Sequence, residues 1–249
     1  MLSRLAKLID IRRGFVGEWA VTFIFLLFGT TSLLQAFVIP TSSMENTLLI
    51  GDHVLVDKLT YSPADSATHH LLPYHDIRRG DVIVFAYPLD IKQEYVKRAI
   101  GLPGDHVRLE NKRLILNGKA VTEPYTVHIP GEDPYRDNFP ANASSALRPR
   151  ALAMLADHVV NGELVVPRGY IFAMGDNRDV SDDSRYWGLV PRDSIAGTPL
   201  VIYWSFDAPT EALVNPNIGI DHVSDVVLHF FSKTRWHRMF QRVHSYPLG

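Results

Sequence analysis

"EYVKRAIGLPGDHVRLENKRLILNGKAV", Glu94 to Val121, holds three short runs of strand-forming residues within 28 positions. "EYVKRAI" (Glu94–Ile100), "HVRLE" (His106–Glu110) and "RLILNGKAV" favour extended backbone, and Asn117-Gly118 inside the last is the dipeptide that closes a tight hairpin. Further runs follow the same rule: "HVLVDKL" (His53–Leu59), "DVIVFAY" (Asp81–Tyr87), "YTVHI" (Tyr125–Ile129), "ELVV" (Glu163–Val166), "YIFAM" (Tyr170–Met174) and "PLVIYWSF" (Pro199–Phe206). Their spacing leaves no room for helical crossovers, which predicts a mainly β, antiparallel, barrel-like or sandwich-like domain over residues 40–221.

Two stretches interrupt that order. Ser62–Asp76 is a polar loop, and residues 131–162 form an inserted region with one helix expected near Ala143–Val160. After Asp225 the chain carries no acidic residue, and Trp236, Met239, Phe240 and Val243 fall on one helical face beside Lys233, Arg235, Arg238 and Arg242. Residues 222–249 are therefore expected to form a basic amphipathic helix, lying on an anionic membrane surface or docked on the domain.

Upstream, "WAVTFIFLLFGTTSLLQAFVI", Trp19 to Ile39, contains no charge. As a helix its 21 residues reach about 31 Å, enough for a bilayer core of about 30 Å. It is also longer than the apolar part of a cleaved leader, so a retained anchor is expected. Arg4, Lys7, Arg12 and Arg13 in the tail 1–18 place that tail in the cytoplasm and the remaining domain across the membrane. A net charge of −2 offers no global attraction to nucleic acid, and the absence of cysteine excludes thiol nucleophiles and cysteine-ligated zinc.

Three stretches are candidates for chemistry. "IPTSSMENTL" (Ile39–Leu48) follows the apolar run and matches a helix capping box, Ser42-x-x-Glu45, as readily as a nucleophile. None of the 11 histidines sits in a recognisable catalytic setting, and His69, His70 and His75 lack a defined third metal partner. Lys97 lies on an otherwise apolar strand, sharing a face with Tyr95 and Ala99 while Arg98 points away. To serve as a base near neutrality it must lose about three pK units through burial, on the order of 4 kcal/mol. "GDNRDVSDDSRYWG" (Gly175–Gly188) resembles an acidic calcium loop, except that Arg178 stands where a ligand is needed.

Taken in order, "SSM" after an apolar span, "RGDVIVF", "YVKRAIGLPGD" and "GDNRDVSDDSRYWG" closely resemble the type I signal peptidases, membrane-bound serine/lysine endopeptidases that remove signal peptides from exported proteins. The resemblance implies a signal-peptidase-like β catalytic domain without metal or cofactor. It makes Ser43 the nucleophile and Lys97 the general base, with Ser181 orienting the lysine amine. Asp183 and Arg185 become a supporting ion pair, Asp176 shapes the loop, and the Ser43 N–H and Thr41 hydroxyl form the oxyanion hole. Ile39, Met44, Leu48, Val84, Tyr95 and Val96, with Phe37, become the apolar surface around the base and the shallow substrate pockets.

The implied setting is a bacterial inner membrane crossed once, with the catalytic domain on the periplasmic or extracellular side. Its partners are preproteins, the bilayer and the export machinery, and the cut follows Ala-x-Ala-like sequences. In an extended segment Thr41 and Ser43 share a face that Ser42 does not, which agrees with those roles. Against the family pattern, Thr41 replaces a common serine, Ser42 a glycine and Asn46 a proline, and Val180 stands where asparagine is frequent. Two other functions compete: a self-cleaving repressor-type serine/lysine peptidase, which should carry a DNA-binding domain in place of the apolar span, and a non-catalytic anchored β-domain that binds exported chains.

Overall fold

The computed structural model describes residues 15–29, 33–61, 75–141, 144–214 and 220–248. Twelve strands among them form two antiparallel sheets. The larger orders its seven as β1 (Leu34–Val38), β2 (Asp52–Asp57), β12 (Ile195–Ser205), β3 (Val82–Tyr87), β4 (Asp90–Gly101), β10 (Tyr170–Met174) and β11 (Val190–Pro191). The smaller runs β7 (Lys119–Ala120), β6 (Arg113–Leu116), β5 (His106–Glu110), β9 (Glu163–Val165) and β8 (Val159–Val160).

Alternation in the sequence assigns the faces. On β3, Ile83 and Phe85 pack with Ala173, Trp187 and Val190, while Val82 and Val84 turn the other way onto Met44, Leu48, Val54 and Ile202. The same parity operates on β10, where Phe172 and Met174 join the core of the smaller sheet and Ile171 and Ala173 face Trp187 of the short helix α4 (Ser184–Trp187). The long strand β4 ends at Gly101, where an added Cβ would collide with Val107 and Val166, so the chain passes closely from one sheet into the other.

The expected helix Trp19–Ile39 is divided in the structure. Helix α1 covers Phe15–Phe28, and Leu34–Val38 is instead strand β1, paired Leu34↔Asp57 through Val38↔His53. A continuous apolar run fits a spanning helix and a strand equally well, and the partner β2 decides. No helix among the described residues is long and apolar enough to cross a membrane. On α1, Phe23 to Phe28 are all more than half exposed.

The C-terminal expectation is also corrected. The helix there, α6, is Ile220–Lys233, followed by a 3₁₀ turn at Trp236–Arg238 and extended chain. Arg238 is drawn onto buried Asp52, donating Nη2 to Oδ2 at 2.6 Å and Nε to Oδ1 at 3.0 Å. Gln241 and Val243 then run beside Ile202 and Leu200, and Leu248 reaches the core of the smaller sheet.

Tyr125–Ile129 does not form a strand. Val127 N–H donates to Asp176 O and Ile129 N–H to the Asp179 carboxylate, so this segment braces the loop after β10. Within 131–162 the chain forms α2 (Pro134–Asp137), α3 (Pro149–His158) and the edge strand β8, which makes the insertion part of the second core.

Candidate active site

Ser43 sits where the chain leaves β1. Ile39 is held in both directions, its N–H donating to Asp52 O and its carbonyl accepting from Gly51 N–H. Thr41 is extended (φ −130°, ψ 156°), and Ser42–Met44 then closes a 3₁₀ turn with Met44 buried beneath. The segment is thus neither a capping box nor the straight strand expected. Thr41 and Ser43 still converge, with hydroxyl oxygens 3.4 Å apart. Ser42–Glu45 fails as a box because Glu45 is engaged elsewhere, accepting from Asn177 Nδ2 at 3.1 Å.

Lys97 enters from β4. Its Nζ lies 2.7 Å from Ser43 Oγ, across 54 positions of sequence, and the side chain is only 4% exposed. Burial lowers its pKa from 10.5 to about 8, while the carboxylates of Asp183, Asp182 and Asp176 pull the other way. The neighbouring Arg98 points away, as alternation requires, into a buried pair with Asp176 at 2.6 Å and over the Tyr125 ring at 4.0 Å. Thr47 donates to the other side of that pair, its Oγ1 reaching Asp176 Oδ2 at 2.5 Å.

The third part is the loop from Gly175. Asn177 N–H donates to Ser43 O at 3.1 Å, binding loop and nucleophile turn directly. A Cβ on Gly175 would lie closer than 3.0 Å to both Ser43 O and Ser181 Oγ, so only glycine lets the two segments meet and Ser181 stands beside the turn. Ser181 Oγ is buried without a well-formed hydrogen bond, although its contact with Asp183 adds to what keeps that carboxylate charged. Burial works to raise the Asp183 carboxyl, yet Arg185, bonded to it at 2.8 and 2.9 Å, together with Ser181 and Lys97 holds it below the usual range.

These segments enclose a cleft of about 500 Å³. Of the expected substrate residues, Ile39, Met44, Tyr95 and Val96 line it, with Phe37. Leu48 and Val84 do not: both are fully buried in the core behind the turn, where they support Met44. Val180, Asp182 and Leu213 also line the cleft, none of them expected there. Asn46, without an account in the sequence, adopts φ +83° and donates Nδ2 to Tyr125 O at 3.2 Å. The Gly-Asp-Asn spelling was the available signal for Asn177; Asn46 was marked only as a departure from the family's proline, and nothing local marked Thr47 or Leu213. Among the described residues no cluster of three His, Asp or Glu side chains could hold a metal ion, and His69 and His70 lie outside them.

A hydroxyl and a buried amine in contact, facing a cleft on a β scaffold, have the composition of a hydrolase site. The family model described as signal peptidase, peptidase S26, matches residues 12–204. A signal peptidase I of Pseudomonas aeruginosa is 35% identical over 216 residues, covering 76% of this chain and 72% of that one. A signal peptidase I of Aquifex aeolicus is 34% identical over 240 residues, covering 82% and 90%. A solved signal peptidase I from Enterococcus faecalis is 32% identical, with 50% of this chain and 97% of that one covered and a TM-score of 0.38. The chain belongs to the signal peptidase family, peptidase S26, a family of serine hydrolases.

Proposed function

We propose that the protein is a membrane-anchored endopeptidase that removes signal peptides from exported preproteins through a Ser43–Lys97 dyad. The observation that carries this reading is the 2.7 Å contact between the Ser43 hydroxyl and a buried Lys97 whose pKa has fallen to about 8. Neutral Lys97 accepts the Ser43 proton as Oγ attacks the scissile carbonyl, and the same proton passes to the leaving amine when the C–N bond breaks. Water, activated by the again neutral amine, then hydrolyses the acyl-enzyme.

The oxyanion assignment is supported by position. Ser43 stands at the start of a 3₁₀ turn, where backbone N–H groups have no intrahelical carbonyl, and the Thr41 hydroxyl is beside it. Ser181 is assigned to orient the Lys97 amine, since its hydroxyl is buried next to the nucleophile turn and makes no well-formed hydrogen bond of its own. Asp183–Arg185 and Arg98–Asp176 hold the loop in register from behind.

Two strand edges border the cleft. β1 is the last strand of its sheet, and Gln93–Val96 of β4 precede the stretch that β10 pairs. An extended substrate adding a strand there would present alternate side chains to shallow pockets bounded by Ile39, Met44 and Val96, which suits small residues before the cut. The uncovered apolar surface of α1, together with the basic tail before it, supports a single anchor that ends before Leu34, with the tail in the cytoplasm and the β-domain across the bilayer.

The test is cleavage of a labelled preprotein by the full chain in detergent, with the cut site identified. Ser43→Ala and Lys97→Ala are each expected to abolish cleavage; unchanged processing by either variant refutes the dyad.

A further inference from the structure

The family match ends at residue 204, but the cleft does not. Beyond β12 the chain makes a short helix, α5 (Thr210–Val214), and Leu213 on it lines the same cleft as Ser43 and Lys97. The root of this helix is firmly held. Phe206 and Ala208 are buried, Phe206 bridges to Thr234, and Asp207 N–H donates to Lys233 O at 2.9 Å while its carboxylate pairs with Arg235 at 2.7 Å. Gly51 lies against the same root, packed on Phe206 O and bonded to Ile39, which ties α5 to the segment that carries the nucleophile.

We infer that Leu213 is a specificity-determining residue: an apolar wall, supplied by the C-terminal segment, that contacts an apolar side chain of the bound substrate. This rests on the peptidase reading of the cleft. The chemistry follows from what surrounds it. Leu213 is half-buried, presents no polar group, and lines a cleft whose apolar lining also includes Phe37, Ile39, Tyr95 and Val96, beside polar Gln93, Glu94 and Asp182. Substrate binding therefore removes Leu213 and its apolar neighbour from water together, which strengthens binding without touching the reacting atoms.

The experiment uses the full chain in detergent with a set of fluorogenic peptides that vary one position at a time on both sides of the cut. Leu213→Ala is expected to raise KM by about threefold to tenfold for peptides with an apolar side chain at one position, leaving kcat within about twofold. Leu213→Glu should reverse the preference at that position, and Leu213→Met should restore the wild-type profile. Glu211→Ala, on the exposed side of α5, is the control. A profile that is identical for wild type, Ala and Glu variants at every position overturns the inference, as does a loss confined to kcat. Because Leu213→Met keeps the volume, a wild-type Met variant beside a uniformly inactive Ala variant would assign Leu213 to folding and also overturn it. Failure of the wild type to cut any peptide would refute the peptidase reading itself, which separates the two failures.

Discussion

Replacing Lys97 by Met should produce a dead enzyme that is more stable than the living one. Burial holds the Lys97 amine at a pKa of about 8 against 10.5 in the unfolded chain, and at 1.36 kcal/mol per unit that difference is about 3 kcal/mol. The sign follows from proton counting. Between about pH 8 and 10.5 the unfolded chain binds more protons than the folded one, so wild-type stability climbs across that window, and below it the full penalty is present. Methionine has similar length and no charge to bury. Urea unfolding of the full chain in detergent should show Lys97→Met more stable by about 3 kcal/mol at pH 7, the gap closing as pH approaches 10.5. In parallel, wild-type kcat/KM should rise about tenfold from pH 7 to pH 9 as the amine becomes neutral. A variant no more stable than wild type at pH 7, or a gap that stays constant from pH 7.5 to 10, refutes the account of a desolvated lysine.

Other substitutions probe the supports. Gly175→Ala should push the Gly175 loop off the nucleophile turn, costing about 1–3 kcal/mol in unfolding and about a hundredfold in kcat/KM, since the new methyl has no room beside Ser43 O and Ser181. At position 46, proline cannot reach φ +83° and should destabilise by roughly 1–3 kcal/mol in thermal melts, whereas Gly keeps the backbone and loses only the bond to Tyr125 O. Arg238→Ala strands the Asp52 carboxylate in the core and should cost about 3–5 kcal/mol in chemical unfolding. A melt indistinguishable from wild type in any of these would show that the contact carries no load.

The strands were legible where short alternating runs lie between turn residues, as in β5, β6 and the Asn117-Gly118 hairpin, because period-two burial is written directly into the residues. β1 was not, because an unbroken apolar run has no period and only its partner β2 distinguishes strand from helix. The Trp236–Val243 face looked helical because Trp236, Phe240 and Val243 have the right spacing, but Arg238 answers to Asp52, 186 positions away. That Ser43 and Lys97 would meet was readable from motifs, and the way they are held was not: Asn177 on Ser43, Asn46 on Tyr125 and Leu213 in the cleft are contacts between distant segments that no local pattern encodes.

The order of strands in the larger sheet carries a consequence in time. Ser43 follows the β1–β2 side and Lys97 the β3–β4 side, and these two hairpin-like halves are not neighbours: β12, which begins only at Ile195, lies between them and pairs with both. A chain still being made therefore has no strand joining the half that carries the hydroxyl to the half that carries the amine until β12 is added. The sheet around the cleft is thus completed late, by a segment that carries neither of the two groups.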